Sequence, residues 1–206
     1  MRVVLPGVLA MAAIVAASNV LVQYPLGTFL TWGALSYPFA FLVTDLVNRL
    51  EGPSAARRVV LVGFATGLLC SFIGTQIEGE FGPLVTLRIA VGSGLAFLCA
   101  QLLDISVFNR LRAGTWWKAP LVSTLVSSTI DTAIFFSVAF SAALSVLEPA
   151  NDVSWATAPM PVLGMGPEAP FWISLAIGDW LVKLMLALVA LVPFRLIVAR
   201  LAAKVA

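Results

Sequence analysis

The fold class predicted is an all-α membrane protein, a bundle of six transmembrane helices with both termini cytoplasmic. Three observations predict it. First, the 206-residue chain is 61% hydrophobic and 11% charged, whereas a soluble domain carries about 25% charged residues. A domain of this size leaves too much surface in water to hide so much apolar material inside. Second, the apolar residues fall into runs of roughly 20, the length a helix needs to cross hydrocarbon. They are too long and too continuous for the alternating strands of about 10 residues in a membrane barrel. Third, Lys and Arg sort into alternate connections.

The spans are expected at about residues 3–21, 28–47, 59–76, 84–108, 119–144 and 171–197, punctuated by polar or Gly/Pro positions. Together they make one integral membrane domain, 1–206. Arg2 precedes the first; Arg49, Arg57 and Arg58 follow the second; Arg110, Arg112 and Lys118 follow the fourth; Arg200 and Lys204 close the chain. The other three connections hold Glu78, Glu80, Glu148, Asp152 and Glu168 and no Lys or Arg. Cytoplasmic loops retain positive charge, so an even number of spans with both ends inside satisfies every loop. On the first span, Arg2, a short apolar run and Ala16-Ala17-Ser18 also fit a cleavable signal peptide. The outer connection 145–170 holds Pro149, Pro159, Pro161, Pro167 and Pro170, a density that blocks regular helix. It reads as a solvated linker, with a lid over an outward cavity as the alternative.

Composition excludes much chemistry. With no histidine, the triad base, the usual zinc ligand and the usual proton shuttle are all missing. Cys70 and Cys99 lie in apolar runs and read as packed thiols. The net charge of +2 is too small to point to nucleic acid. No GxxxxGK[ST], GxSxG or HExxH motif occurs, so no catalytic residue, metal or cofactor is assigned. An intramembrane aspartyl enzyme would have to use Asp131 and Asp179 as its pair.

The candidate functional residues are the charges inside the spans, because each costs about 2.5–3.5 kcal/mol near the bilayer centre and is held facing the bundle interior. Asp131 lies about 18 Å along the fifth span and Asp179 about 12 Å along the sixth, at 1.5 Å per residue, which puts both near the midplane. Asp45 and Asp104 fall near the cytoplasmic interface, with Arg49, Arg110 and Arg112 close in sequence, and read as coupling or gating anchors. Lys183 joins that group, although its spacing from Asp179 also permits a simple i, i+4 pair. Arg88, about one turn inside the outer end of the fourth span, would snorkel to phosphate or pair with Glu78 or Glu80. Ser123, Thr124, Ser127, Ser128, Asp131 and Thr132 recur at helical spacing and line one face. Small hydroxyl residues allow close helix packing, but that does not account for the aspartate. A midplane carboxylate fits either ion coupling or a hydrogen-bond acceptor for a polar substrate.

The segments SNVLVQYP from Ser18, TWGALSYPFAFLVTDLVNRLEG from Thr31, RIAVGSGLAFLCAQLLDISVFNRLR from Arg88, WWKAPLVSTLVSSTIDTAIFFSVAF from Trp116 and GDWLVKL from Gly178 resemble the queuosine precursor transporter family of bacteria, also called the vitamin uptake family. The chain departs from that family's pattern at Ser127-Ser128 and at Trp180. The resemblance implies an inner-membrane importer of 7-cyano-7-deazaguanine and its aminomethyl relative, with the first helix retained. A guanine-like base presents a ring N–H beside an exocyclic amine, a donor pair that one carboxylate accepts bidentately. Asp131 is the first choice for it and Asp179 the second. Gln101, Gln76 or Arg88 would serve the carbonyl edge, Ser127 and Ser128 would line the path, and Trp32 or a neighbouring phenylalanine would stack on the ring. The partners expected are membrane lipid and one small purine-like molecule, with a homo-oligomer left open. Two other readings stay open: the membrane subunit of an ATP-driven vitamin uptake system, and an importer of another small polar heterocycle.

Overall fold

The computed structural model describes residues 3–80 and 82–202, and the side chain of residue 202 lies outside that description. Arg2 and Lys204, both used above to orient the chain, fall outside the described residues. Five helices are long and apolar enough to cross a membrane: α1 (Val4–Leu21), α4 (Pro53–Gly74), α5 (Leu87–Leu111), α6 (Lys118–Phe140) and α8 (Phe171–Ala202).

The run expected as a second continuous span, 28–47, is not one helix. A two-residue hairpin, β1 (Pro25–Leu26) against β2 (Leu30–Thr31), turns through Gly27, and leads into α2 (Trp32–Ser36) and then α3 (Phe39–Glu51). Between α2 and α3 the hydrogen-bond ladder is interrupted at Pro38, which has no N–H to give it, although Tyr37 and Pro38 keep right-handed helical backbone angles. Even so, α2 and α3 together retrace α1 in antiparallel register. Ser36 Oγ meets Ser18 Oγ at 2.8 Å near one end, and Glu51 Oε1 accepts the Val3 N–H at 3.1 Å at the other. Between these, a Cβ on Gly7 would strike Val47. Gly52 then reverses the chain at φ 87°, a conformation glycine adopts without strain, and Pro53 starts α4 at a position where its missing N–H costs nothing.

The helix ends that carry the cations gather at one end of the bundle. Arg49 Nη1 donates to the Arg112 carbonyl at 2.8 Å, and the Arg195 guanidinium sits 4.8 Å from the Trp116 ring centre. The opposite end holds the three short hairpins, the second being β3 (Glu78–Gly79) with β4 (Gly82–Pro83) and the third β5 (Pro159–Pro161) with β6 (Glu168–Pro170). The 145–170 connection is ordered rather than a bare linker: α7 (Ser154–Thr157) and the β5–β6 hairpin pack on α8. Trp155 lies 5.5 Å from Phe140 and 6.4 Å from Phe171, centre to centre.

Side chains are distributed in the reverse of a soluble protein's order. Leu61, Leu69, Phe72, Leu188 and Val192 are exposed, whereas Thr44, Asn48, Arg88, Gln101, Ser123 and Ser127 are fully buried. A lipid-facing surface requires this, because hydrocarbon offers polar groups no partners. The apolar core is built from Met11, Val15, Val47, Val59, Val60, Phe97 and Ile105, which fix α1, α3, α4 and α5 together. The expected α6 stripe does face inward: all six of its members are buried.

Candidate functional site

A cavity of about 580 Å³ lies in the half of the bundle beneath the hairpin end, walled by α1, α2, α4, α5, α6 and α8. Its walls are mainly apolar and aromatic, with Phe97, Phe135, Phe136, Phe140, Trp155 and Phe171 among them. Among the described residues, three carboxyl or amine side chains reach it: Asp131, Asp179 and Lys183. A mostly apolar chamber of this size with a few converging polar groups has the form of a small-molecule site.

The three charges form one cluster across two helices. Lys183 Nζ lies 2.6 Å from Asp131 Oδ2 and 2.5 Å from Asp179 Oδ2. The i, i+4 pair expected on α8 is therefore present, but the same ammonium also holds Asp131 of α6. Lys183 Nζ further donates to Thr132 Oγ1 at 3.0 Å, and Thr132 donates to Asp179 Oδ2 at 2.8 Å. The Tyr37 hydroxyl donates to Asp131 Oδ1 at 3.2 Å, and the ammonium stands 5.5 Å from the Tyr37 ring centre. Two carboxylates around one ammonium compensate the cation and leave negative character over, which suits a ligand that presents hydrogen-bond donors. Asp131 Oδ1 is the weakly engaged oxygen, because 3.2 Å is long for an O–H···O bond.

The backbone explains how Tyr37 arrives there. It is the residue between α2 and α3, just before the helix-breaking Pro38, so its ring projects inward at the break, in edge contact with Phe41 and Phe97. The sequence does not single out Tyr37, and it offers a phenylalanine for stacking only as the alternative to Trp32, without saying which. The signal available was an aromatic immediately before a proline in an apolar run. Lys183, expected to serve coupling or gating, stands on the cavity wall.

The other expected contacts lie elsewhere. Trp32 is about half exposed and is not part of the cavity wall. Gln101, Ser127 and Ser128 are fully buried and also stand off the wall; Gln101 Oε1 accepts from Thr44 at 2.5 Å, and Ser127 donates to Asp104 Oδ1 at 3.0 Å. Arg88 neither snorkels nor pairs with Glu78 or Glu80. Its Nε and Nη2 donate to the carbonyls of Val138 and Ser141 at 3.0 and 2.6 Å, closing the end of α6. The Glu148 carboxylate accepts the backbone N–H groups of Leu87 and Arg88, both at 3.0 Å, at the start of α5. Those N–H groups have no partner inside their own helix, and the helix dipole favours an anion there. Asp45 and Asp104, expected among arginines and headgroups, are both buried and form no ion pair with any described cation. Arg49 and Arg112 bond instead to each other's carbonyls.

The chain is similar in sequence to known proteins. The chain is 35% identical over 198 residues to the queuosine precursor transporter of Escherichia coli K12, covering 87% of this chain and 79% of the relative. It is 34% identical to the probable queuosine precursor transporter of Haemophilus influenzae, with the same coverage, and 31% identical to that of Bacillus subtilis, over 80% of this chain and 70% of the relative. No solved structure matches. The family described as "Putative vitamin uptake transporter" matches residues 31–198, a stretch that contains the broken α2–α3 segment, the charged cluster and most of the cavity wall. The chain therefore belongs to this family, whose description and whose named relatives are those of membrane transporters and not of enzymes.

Proposed function

We propose that this protein imports the queuosine precursors 7-cyano-7-deazaguanine and 7-aminomethyl-7-deazaguanine across the bacterial inner membrane. The observation that carries this reading is the Asp131–Lys183–Asp179 cluster set in an otherwise aromatic cavity. Asp131 accepts the ring N–H and exocyclic amine of the base, displacing the long bond from Tyr37, and Asp179 is the second acceptor. The flat ring lies against the phenylalanine wall, where offset or edge contacts add about 0.5–1.5 kcal/mol beyond burial. Lys183 bridges the two carboxylates and holds them in place. Gln101, Ser127 and Ser128 act as scaffold behind the cavity, Arg88 as the clamp on the end of α6, and Trp32 at the outer surface.

In this reading the chain makes six crossings as a single domain, with α2 and α3 together forming the second. Both ends are cytoplasmic, and the cavity opens outward beneath the 145–170 segment. The antiparallel register of α1 with α2–α3 and the gathering of arginines at one end support that orientation.

The test is a strain unable to make deazaguanines, supplied with external 7-cyano-7-deazaguanine. Expression of the protein should restore queuosine in transfer RNA, and Asp131→Asn should abolish the gain while the protein still inserts. Full gain with Asp131→Asn would overturn the site. Failure of the unmodified protein in a host without ATP-driven partner subunits would favour the vitamin-uptake-subunit reading instead.

A further inference from the structure

A second polar cluster lies nearer the arginine-bearing end, apart from the cavity. It comprises Asp45 of α3, Asp104 of α5, and Ser123, Thr124 and Ser127 of α6, all buried. Ser127 donates to Asp104 Oδ1 at 3.0 Å, and the hydroxyls of Ser123 and Thr124 lie 3.5 Å from the two oxygens of Asp45. The two carboxyl groups lie against each other in this cluster. An ionised carboxylate only accepts hydrogen bonds, and two uncompensated charges side by side away from water repel, so burial of this pair without a cation requires a proton on one of them.

The surroundings offer nothing else to balance two negative charges. Among the described residues no Lys or Arg pairs with either group. On α3 the next cation, Arg49, is committed to the Arg112 carbonyl. α5 contributes Gln101 and α6 contributes hydroxyls. α8 presents only apolar side chains, with Ala187, Leu191 and Phe194 among them, around a small cavity of about 10 Å³ that has Asp45 and Thr124 on its wall. That is about the volume one water needs. Lys183, one turn outward on α8, is held by Asp131 and Asp179. Asp104 Oδ2, which is buried, meets no N–H or O–H donor of the protein, so a proton between the carboxyls supplies what the fold does not.

We propose that Asp45 and Asp104 hold one exchangeable proton between them, and that this proton is the coupling ion of import, drawn from the outer side with each molecule of base and released to the cytoplasm. The coupling half rests on the importer reading above; the proton half does not. Ser127, bonded to Asp104, lies one helical turn from Asp131, about 6 Å along α6. The hydroxyl that holds Asp104 is therefore one turn from the cavity's own carboxylate on the same helix.

The proton half is tested by infrared spectroscopy of the purified protein in liposomes, with no base added. A carbonyl band of a protonated carboxylic acid should be present, shift in heavy water and disappear on alkalinisation. It should be lost in Asp45→Asn and in Asp104→Asn, and persist in Asp131→Asn. Absence of the band from the unmodified protein, failure to exchange in heavy water, or survival of the band in both inner-pair variants would overturn the shared proton. The coupling half is tested by uptake of labelled 7-cyano-7-deazaguanine into the same liposomes. An inside-alkaline gradient should raise the initial rate severalfold for the unmodified protein and leave that of Asp104→Asn unchanged. A gradient-independent rate in the unmodified protein would overturn coupling alone. No uptake at all would overturn the importer reading and coupling with it, and would leave the infrared result to stand by itself.

Discussion

Single residues at this site are constrained by each other's charge. Lys183 is the shared counter-ion of two carboxylates at 2.6 and 2.5 Å, and removing one member of a buried ionic group leaves charge uncompensated, at a cost of about 3–5 kcal/mol. Lys183→Ala should therefore lower the thermal midpoint in detergent markedly. The double variant Lys183→Ala with Asp179→Asn should recover part of that loss, because one of the stranded charges is gone. Arg88 makes a different point. It looks like a ligand-binding cation in sequence, yet its guanidinium is spent on the carbonyls of Val138 and Ser141. Charge-assisted bonds of this kind contribute about 1.5–3 kcal/mol each. Arg88→Ala should therefore destabilise the fold, while the apparent affinity for base in the surviving folded fraction should stay close to that of the unmodified protein.

Among the elements, the broken α2–α3 segment decides the site. A continuous helix over this stretch would have no break at which to turn Tyr37 toward Asp131. The break is held closed against the end of α1 by Gly33, where an added Cβ would come within 2.8 Å of the Val22 backbone nitrogen. Backbone cannot swing aside as a side chain can, so Gly33→Ala should cost about 1–3 kcal/mol, the usual penalty of overpacking. Gly67→Ala is the matched control, since its Cβ would meet only Val15 Cγ1 at an ordinary 3.5 Å. Thermal unfolding of the two variants side by side checks the difference. The α5–α6 pair is the complementary rigid element. It is the most extensively packed pair of helices, and the small residues of the α6 stripe allow that approach.

For the whole molecule, the prediction concerns orientation. With Cys70 and Cys99 replaced by alanine, Glu168→Cys should react with a membrane-impermeant maleimide in intact cells, and Gly114→Cys only after permeabilisation. The reverse pattern would invert the bundle and the direction of every argument about import. Much of this level was legible in the chain. Apolar run lengths and the alternation of arginines with glutamates follow from the cost of moving charge through lipid, which acts on each segment almost independently of its neighbours. The inward face of α6 was legible for the same reason, because a 3.6-residue period puts Ser123, Ser127 and Asp131 on one side whatever packs there. What the sequence by itself determined was thus an apolar helical bundle, the sorting of its charges and the short roster of charges inside it. Only the tertiary structure decided how those charges combine: that Lys183 bridges Asp131 to Asp179, that Asp45 meets Asp104 rather than an arginine, that Arg88 closes a helix end, and that a tyrosine at a proline break completes the cavity. Pairing between helices depends on rotation and register between segments distant in the chain. Helical periodicity fixes which face a residue occupies but not which neighbour that face will meet.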